Sequence, residues 1–145
     1  MEVNLKMLAY CGLYCEQCSF KAAHDEQNAK HIQHIPYAFV QRDLSQYSCE
    51  CCKGFCICGS CKIKPCAAAK HIDSCAQCSD FPCELIDAFA TDGKPHHAQA
   101  VQNLHDIRTL GLESWYKQLS PSLTCACGQR QTWYYTCPCH SHPNP

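Results

Sequence analysis

The sequence predicts a small fold, mostly α-helical, with irregular cysteine-rich loops and a short β-hairpin at the C-terminal end. Three observations lead there. Seventeen of the 145 residues are cysteine. Leu, Ile, Val and Phe together number 25, about 17% of the chain, which is sparse for an ordinary apolar core. The apolar residues that are present recur at helical spacing between cysteine clusters, while one β-branched and aromatic run lies near the end of the chain. Something besides apolar burial has to offset chain entropy, and dense thiols are the available device. The fold class is therefore small and metal-stabilised, with a zinc-ribbon-like hairpin at the C-terminus. It divides into residues 1–120, a cysteine-rich metal-binding helical domain, and 121–145, a ribbon-like knuckle.

The choice of metal over disulfides rests on context. Disulfide scaffolds belong to oxidising compartments. Met1 to Tyr10 show no basic stretch followed by a long apolar run, the mark of an export signal. No apolar segment approaches the roughly 20 residues of a membrane span. An odd number of cysteines also leaves at least one thiol unpaired. A reducing cytoplasm and no membrane association are the expectation. The formal net charge of −1 offers no broad basic field, so nucleic acid is not an expected partner.

In chain order, Cys11, Cys15 and Cys18 form the first cluster, and a cysteine-free stretch follows. Phe20, Ala23 and Gln27 begin a helical face there. After Pro36, Val40, Leu44 and Tyr47 mark another. From Cys49 to Cys83, glycines and prolines punctuate the chain, which predicts turns and short helical pieces. This part repeats a pattern: Cys58, Cys61, Pro65 and Cys66 recur in the same register as Cys75, Cys78, Pro82 and Cys83. Next come three amphipathic helices. Leu85, Ile86 and Phe89 mark the first, which ends at Asp92-Gly93. Ala100, Leu104 and Ile107 mark the second, opened by Pro95 and broken at Gly111. Leu112, Trp115, Tyr116 and Leu119 mark the third, closed by Pro121. In the tail, Cys125/Cys127 and Cys137/Cys139 flank Thr132–Thr136, the strand candidate.

A C-x-x-C turn brings two sulfurs to one side of a tight loop, and two such half-sites complete a tetrahedral Cys₄ zinc centre. The half-sites are Cys15/Cys18, Cys49/Cys52, Cys58/Cys61, Cys75/Cys78 and the two C-x-C pairs of the tail. Cys11, Cys66 and Cys83 stand as further single ligands. The tail four, Cys125, Cys127, Cys137 and Cys139, form the one closed set that spacing names. Elsewhere the pairing stays open, and the thiols suffice for two to four zinc ions. Cys51 and Cys56 look dispensable. Four thiolates hold a [4Fe–4S] cluster as readily as zinc, so an iron–sulfur centre is the alternative cofactor. The Cys11, Cys15, Cys18 spacing also occurs in enzymes that cleave S-adenosylmethionine. Those need a far larger barrel, and a full one takes about 250 residues.

Tyr10-Cys11-Gly12-Leu13-Tyr14-Cys15-Glu16-Gln17-Cys18 resembles the opening motif of the domain-of-unknown-function family numbered 3795. Cys61 to Cys66, Cys75 to Cys83 and Gly111 to Trp115 are similar to its later motifs. The resemblance implies a small prokaryotic protein, of a kind common in anaerobes, presumed to bind zinc and without an assigned activity. It implies Cys11, Cys15, Cys18, Cys61, Cys66, Cys75, Cys78 and Cys83 as ligands. The cysteines between Cys49 and Cys58 and the C-x-C spacing of the tail depart from the family pattern.

The remaining residues read plainly. The nine histidines are expected at the surface, with His31/His34 and His96/His97 in neighbouring pairs and His140 or His142 as stand-ins for a tail thiol. Trp133, Tyr134 and Tyr135 are expected to pack, not to stack on nucleic acid. Lys53, Lys62, Lys64 and Lys70 suit a role in offsetting thiolate charge. No nucleophile–base pair, carboxylate pair or phosphate loop stands out, so no enzyme is read. The expected function is a structural-zinc interaction or adaptor module with an unidentified protein partner. The alternatives are an iron–sulfur protein for electron transfer or redox sensing, and a thiol-rich metal store.

Overall fold

The structure is a computed structural model that describes residues 4–33, 35 and 61–138. The expected helix after Pro36, and with it Cys49, Cys51, Cys52, Cys56 and Cys58, lies outside the described residues, as do Lys53, His34, Cys139, His140 and His142.

Helix α1 spans Ser19–Glu26. Cys18 caps it through Sγ, which accepts from the Lys21 amide at 3.4 Å, and Gln27 closes it in the left-handed region at φ 50°. Phe20 and Ala23, the face read from sequence, are buried against Ile32 and Ile35. Helix α2, Ile63–Ala69, buries Ile63 and Ala67 one turn apart.

The three later helices follow their sequence signals. Helix α3, Glu84–Ala90, places Glu84 and Asp87 in its first turn, where the helix dipole favours negative charge. Helix α4, Pro95–Leu110, starts on the proline and stops at Gly111, whose φ of 89° suits glycine. Helix α5, Leu112–Leu119, buries Trp115 and Tyr116, and Pro121 sits in the 3₁₀ turn Ser120–Ser122 that follows. None of the helices among the described residues is long and apolar enough to cross a membrane.

Helices α2, α3 and α4 share one apolar cluster with the turn that carries Cys11. Ile63, Ala67, Phe81, Ile86, Ala100, Val101 and Leu104 pack with Ala9 and Leu13. A second cluster joins Leu8 and Tyr14 to Trp115, Tyr116 and Leu123. Tyr14 is fully buried and meets both aromatic rings edge-on, with centroids 5.5 and 5.7 Å away. Gly12 makes the closest approach. At φ 99°, a Cβ there would lie 2.0 Å from the Ala100 carbonyl oxygen. Its own carbonyl accepts from Asn103 Nδ2 at 2.9 Å, and Asn103 Oδ1 accepts from Trp115 Nε1 at 3.3 Å. One buried amide therefore ties the Cys11 turn, α4 and α5 together.

The expected C-terminal β-hairpin is not formed. Among the described residues the tail holds only isolated antiparallel bridges, Thr124 to Arg130 and Thr132 to Tyr135. Thr132 and Tyr135 exchange backbone hydrogen bonds of 3.0 and 3.2 Å, so the chain reverses at Trp133-Tyr134. The β-branched and aromatic run is thus consumed in one tight turn, and among the described residues no partner strand stands beside it. Its backbone is held by the body of the protein: the Trp133 amide donates to Gln17 O and the Tyr134 amide to Ser19 Oγ, both at 3.0 Å. Two-stranded ribbons are marginal in water, and tertiary partners outcompete the ladder here.

Candidate metal centre

The tail turn begins at Cys125. Its amide donates to Gln129 O at 2.7 Å, and the Gly128 amide returns to Cys125 O at 2.8 Å. Gly128 sits at φ 95°, with open space around it, so backbone conformation alone calls for glycine. This turn puts Cys125 and Cys127 on the side from which Cys137 arrives, held by its amide to Gln131 Oε1 at 3.3 Å. The ligand atoms of Cys125, Cys127 and Cys137 all lie within 4.8 Å of one another. Cys127 Sγ and Cys137 Sγ are 3.6 Å apart. A tetrahedron with Zn–S near 2.3 Å has an S···S edge of about 3.8 Å, so the pair stands at ligand spacing and far outside disulfide bonding. Cys125 and Cys137 are buried and Cys127 is exposed. Three members of the closed tail set thus converge, and the fourth, Cys139, lies outside the described residues.

Arg130 clamps this turn to the N-terminal cysteine segment. Its Nη2 donates to Cys15 O at 2.8 Å, its Nε to Glu16 O at 3.1 Å, and its Nη1 reaches Asp25 Oδ2 at 3.4 Å. The same seam carries Ser19 Oγ to Thr132 Oγ1 at 3.0 Å and His31 Nδ1 to Thr132 Oγ1 at 2.9 Å.

The tail aromatics pack, as read from sequence. Trp133 stacks on His96 with centroids 4.7 Å apart, the Tyr134 hydroxyl lies 2.8 Å from His96 Nδ1, and Tyr135 meets His31 edge-on. The histidines themselves correct the surface expectation. His31 is wholly buried and His96 is 6% exposed. Burial lowers the pKa of both, that of His96 to about 4, with His97 adding to the effect. Their spacing gave no sign of this, because both are recruited by tail residues about a hundred and about forty positions away.

A second thiol group lies between α2, α3 and the Cys75–Gln77 turn. Cys66, Cys75, Cys78 and Cys83 line one cavity of about 20 Å³, otherwise walled by apolar side chains and the stem of Lys70. Lys70 Nζ donates to Cys78 Sγ at 3.1 Å and to Asp80 Oδ2 at 3.0 Å, and the Asp80 amide lies 3.4 Å from the same sulfur. The ammonium, and then that amide, lower the Cys78 pKa. Burial pushes Cys75 up to about 12, and Cys78, Cys83 and Cys66 add repulsion. Arg108 Nη1 holds the turn by donating to Ala76 O at 2.8 Å and Cys78 O at 3.1 Å, with its guanidinium over Phe81.

Cys11, Cys15 and Cys18 do not close on one another at ligand spacing. Cys11 is buried, which pushes its thiol up to about 12, and its thiol neighbours are Cys61 and Cys75. Cys15 is buried beneath Arg130, and Cys18 caps α1. Lys70 meets the charge-offsetting role read for the lysines, and Arg108 is the positioning residue that sequence reading missed. A single arginine on the half-exposed side of an amphipathic helix carries no signal of its distant partners.

No curated protein and no solved structure matches the chain. The profile of the family described as "Protein of unknown function (DUF3795)" matches residues 7–88, from the Cys11 turn through the second cysteine repeat into α3. With more than half of its length matched, and with the motif cysteines of both segments inside the match, the chain belongs to the DUF3795 family.

Proposed function

We propose that the protein is a structural-zinc module in which Cys125, Cys127 and Cys137, completed by Cys139, hold one ion, and that it serves as an interaction or adaptor protein. The observation that carries the reading is the convergence of three tail thiols within 4.8 Å, two of them 3.6 Å apart. Thiolates at that spacing suit zinc, and a closed four-ligand set is structural where an open position would be catalytic. The Arg130 clamp supports an architectural role, because an ion at this point fastens the last turn of the described chain against the segment that carries Cys15 and α1. A fixed surface of that kind is what a partner protein reads.

The test is elemental analysis by mass spectrometry on protein purified without oxygen, with an absorption spectrum of the same sample. Colourless protein with a whole number of zinc ions, lowered by one in Cys127→Ser/Cys137→Ser, is the expected result. Brown protein with iron and acid-labile sulfide replaces this reading with an iron–sulfur one. Variable loading with many soft ions replaces it with a metal store.

A further inference from the structure

We infer that the tail set is a peroxide-sensitive closure, in which Cys127 and Cys137 are oxidised to a disulfide and the site thereby opens. The inference rests on the reading of the tail as a closed thiolate site and names the reaction that regulates it.

The first argument pairs exposure with distance. Cys127 is exposed, whereas Cys125 and Cys137 are buried. An oxidant in solution therefore meets Cys127 first, and Cys137, at 0% exposure, is reached only from within the site. The two sulfurs stand 3.6 Å apart, so a disulfide of about 2.05 Å needs an approach of about 1.5 Å. A solvent-facing thiolate beside a second, shielded one is the arrangement of redox-sensing cysteines. Cys61 and Cys66 are also exposed, but among the described residues they belong to no group of three ligand atoms within 4.8 Å.

The second argument is local freedom. Gly128, next to Cys127, holds φ 95° with nothing within 4 Å of a Cβ position, so the turn has room to carry the Cys127 sulfur inwards. Cys137 stays in place, with its amide on Gln131 Oε1 at 3.3 Å.

The third argument is chemical. Zinc has no redox chemistry of its own, so the electrons come from sulfur. The oxidant is a hydroperoxide, R–O–O–H. The Cys127 thiolate attacks its terminal oxygen: an S–O bond forms, the O–O bond breaks, and the alkoxide leaves and takes a proton from water. The Cys137 thiolate then attacks the sulfur of that sulfenic acid: the S–S bond forms, the S–O bond breaks, and hydroxide leaves to be protonated to water. The two thiolates lose two electrons, the peroxide gains them, and two protons are consumed. Cys125 and Cys139 alone do not complete a tetrahedral site.

The test treats the full chain, loaded with zinc and purified without oxygen, with one equivalent of hydrogen peroxide. A zinc-responsive dye reads release, and peptide mass mapping after alkylation locates cross-links. Loss of one zinc per chain together with a Cys127–Cys137 cross-link is the expected result. Zinc loss without that link, that link without zinc loss, a link from Cys127 to Cys125 or Cys139, or a chain that keeps every ion and forms no link overturns the inference. All of these leave the tail ion itself standing. An unchanged zinc count in Cys127→Ser/Cys137→Ser, measured before any peroxide, removes the tail ion and this inference together.

Discussion

The α4–α5 pair and the tail from Leu123 to Pro138 are neighbours in sequence, yet they are held by different physics. Helices α4 and α5 bury Ala100, Val101, Leu104, Trp115 and Tyr116 against the N-terminal turns. Their packing follows from apolar periodicity, fastened by the one buried amide of Asn103. In the tail, the side chains buried most deeply are Leu123, Cys125 and Cys137, while Trp133, Tyr134 and Tyr135 are only half-buried. Its order comes from the Arg130 clamp, a few hydrogen bonds and three thiolate donors that repel one another once ionised. Where apolar side chains are spent on helices, the short remainder of the chain is fixed by polar contacts and, on the reading proposed above, by an ion.

Removing metal should break this comparison open with the largest effect. Structural zinc contributes about 10–16 kcal/mol in small metal-folded peptides. The chelated chain is expected to lose hydrogen-exchange protection across residues 123–138. The α4–α5 amides should retain more protection than the tail, on a far-UV signal that is reduced and melts earlier. Equal protection of the tail with and without chelator would count against the metal reading.

Gly12→Ala strikes the helical side. The added methyl meets the Ala100 carbonyl at 2.0 Å and forces a left-handed residue, so roughly 2–6 kcal/mol of stability should vanish in a denaturant titration. Ion binding by the tail should survive as far as the chain remains folded.

His96 joins the two regions, and its protonation separates them. Its folded pKa is about 4 against the ordinary imidazole value of 6.5. Between those values the unfolded chain binds the extra proton, so this contribution is complete above about pH 6.5 and declines as pH falls towards 4. The loss is on the order of 3 kcal/mol. Comparing the parent with His96→Gln across that window isolates it from proton-driven metal loss, which both share. A parallel pH dependence in the two chains would remove His96 as the cause.

Asn103→Ala leaves the Gly12 carbonyl and the Trp115 indole N–H without their partner, at a cost of about 1–3 kcal/mol. Tryptophan fluorescence should shift because Trp115 loses its acceptor, while the tail zinc affinity should hold constant.

Particular residues show how far the sequence could be read. Pro95, Gly111 and Pro121 bounded α4 and α5 in advance, because a fixed φ, a left-handed φ and a missing amide act locally. The convergence of Cys125, Cys127 and Cys137 was legible for the same reason, since a short turn leaves few places for their sulfurs. The hairpin was misread because Thr132–Thr136 has strand composition, yet its backbone partners are Gln17 and Ser19. Likewise Cys11, Cys15 and Cys18 look like one site on paper, whereas Cys11 turns towards Cys61 and Cys75.

The sequence by itself therefore determined the helical segments, the thiol chemistry and the local tail set, all governed by interactions within a few residues. Only the tertiary structure decided which distant thiols share a cavity, which lysine faces a sulfur and which histidines are buried. Those outcomes depend on loop closures over tens of residues. Closure entropy changes little with loop length, so spacing leaves many pairings nearly equal until side-chain packing selects one.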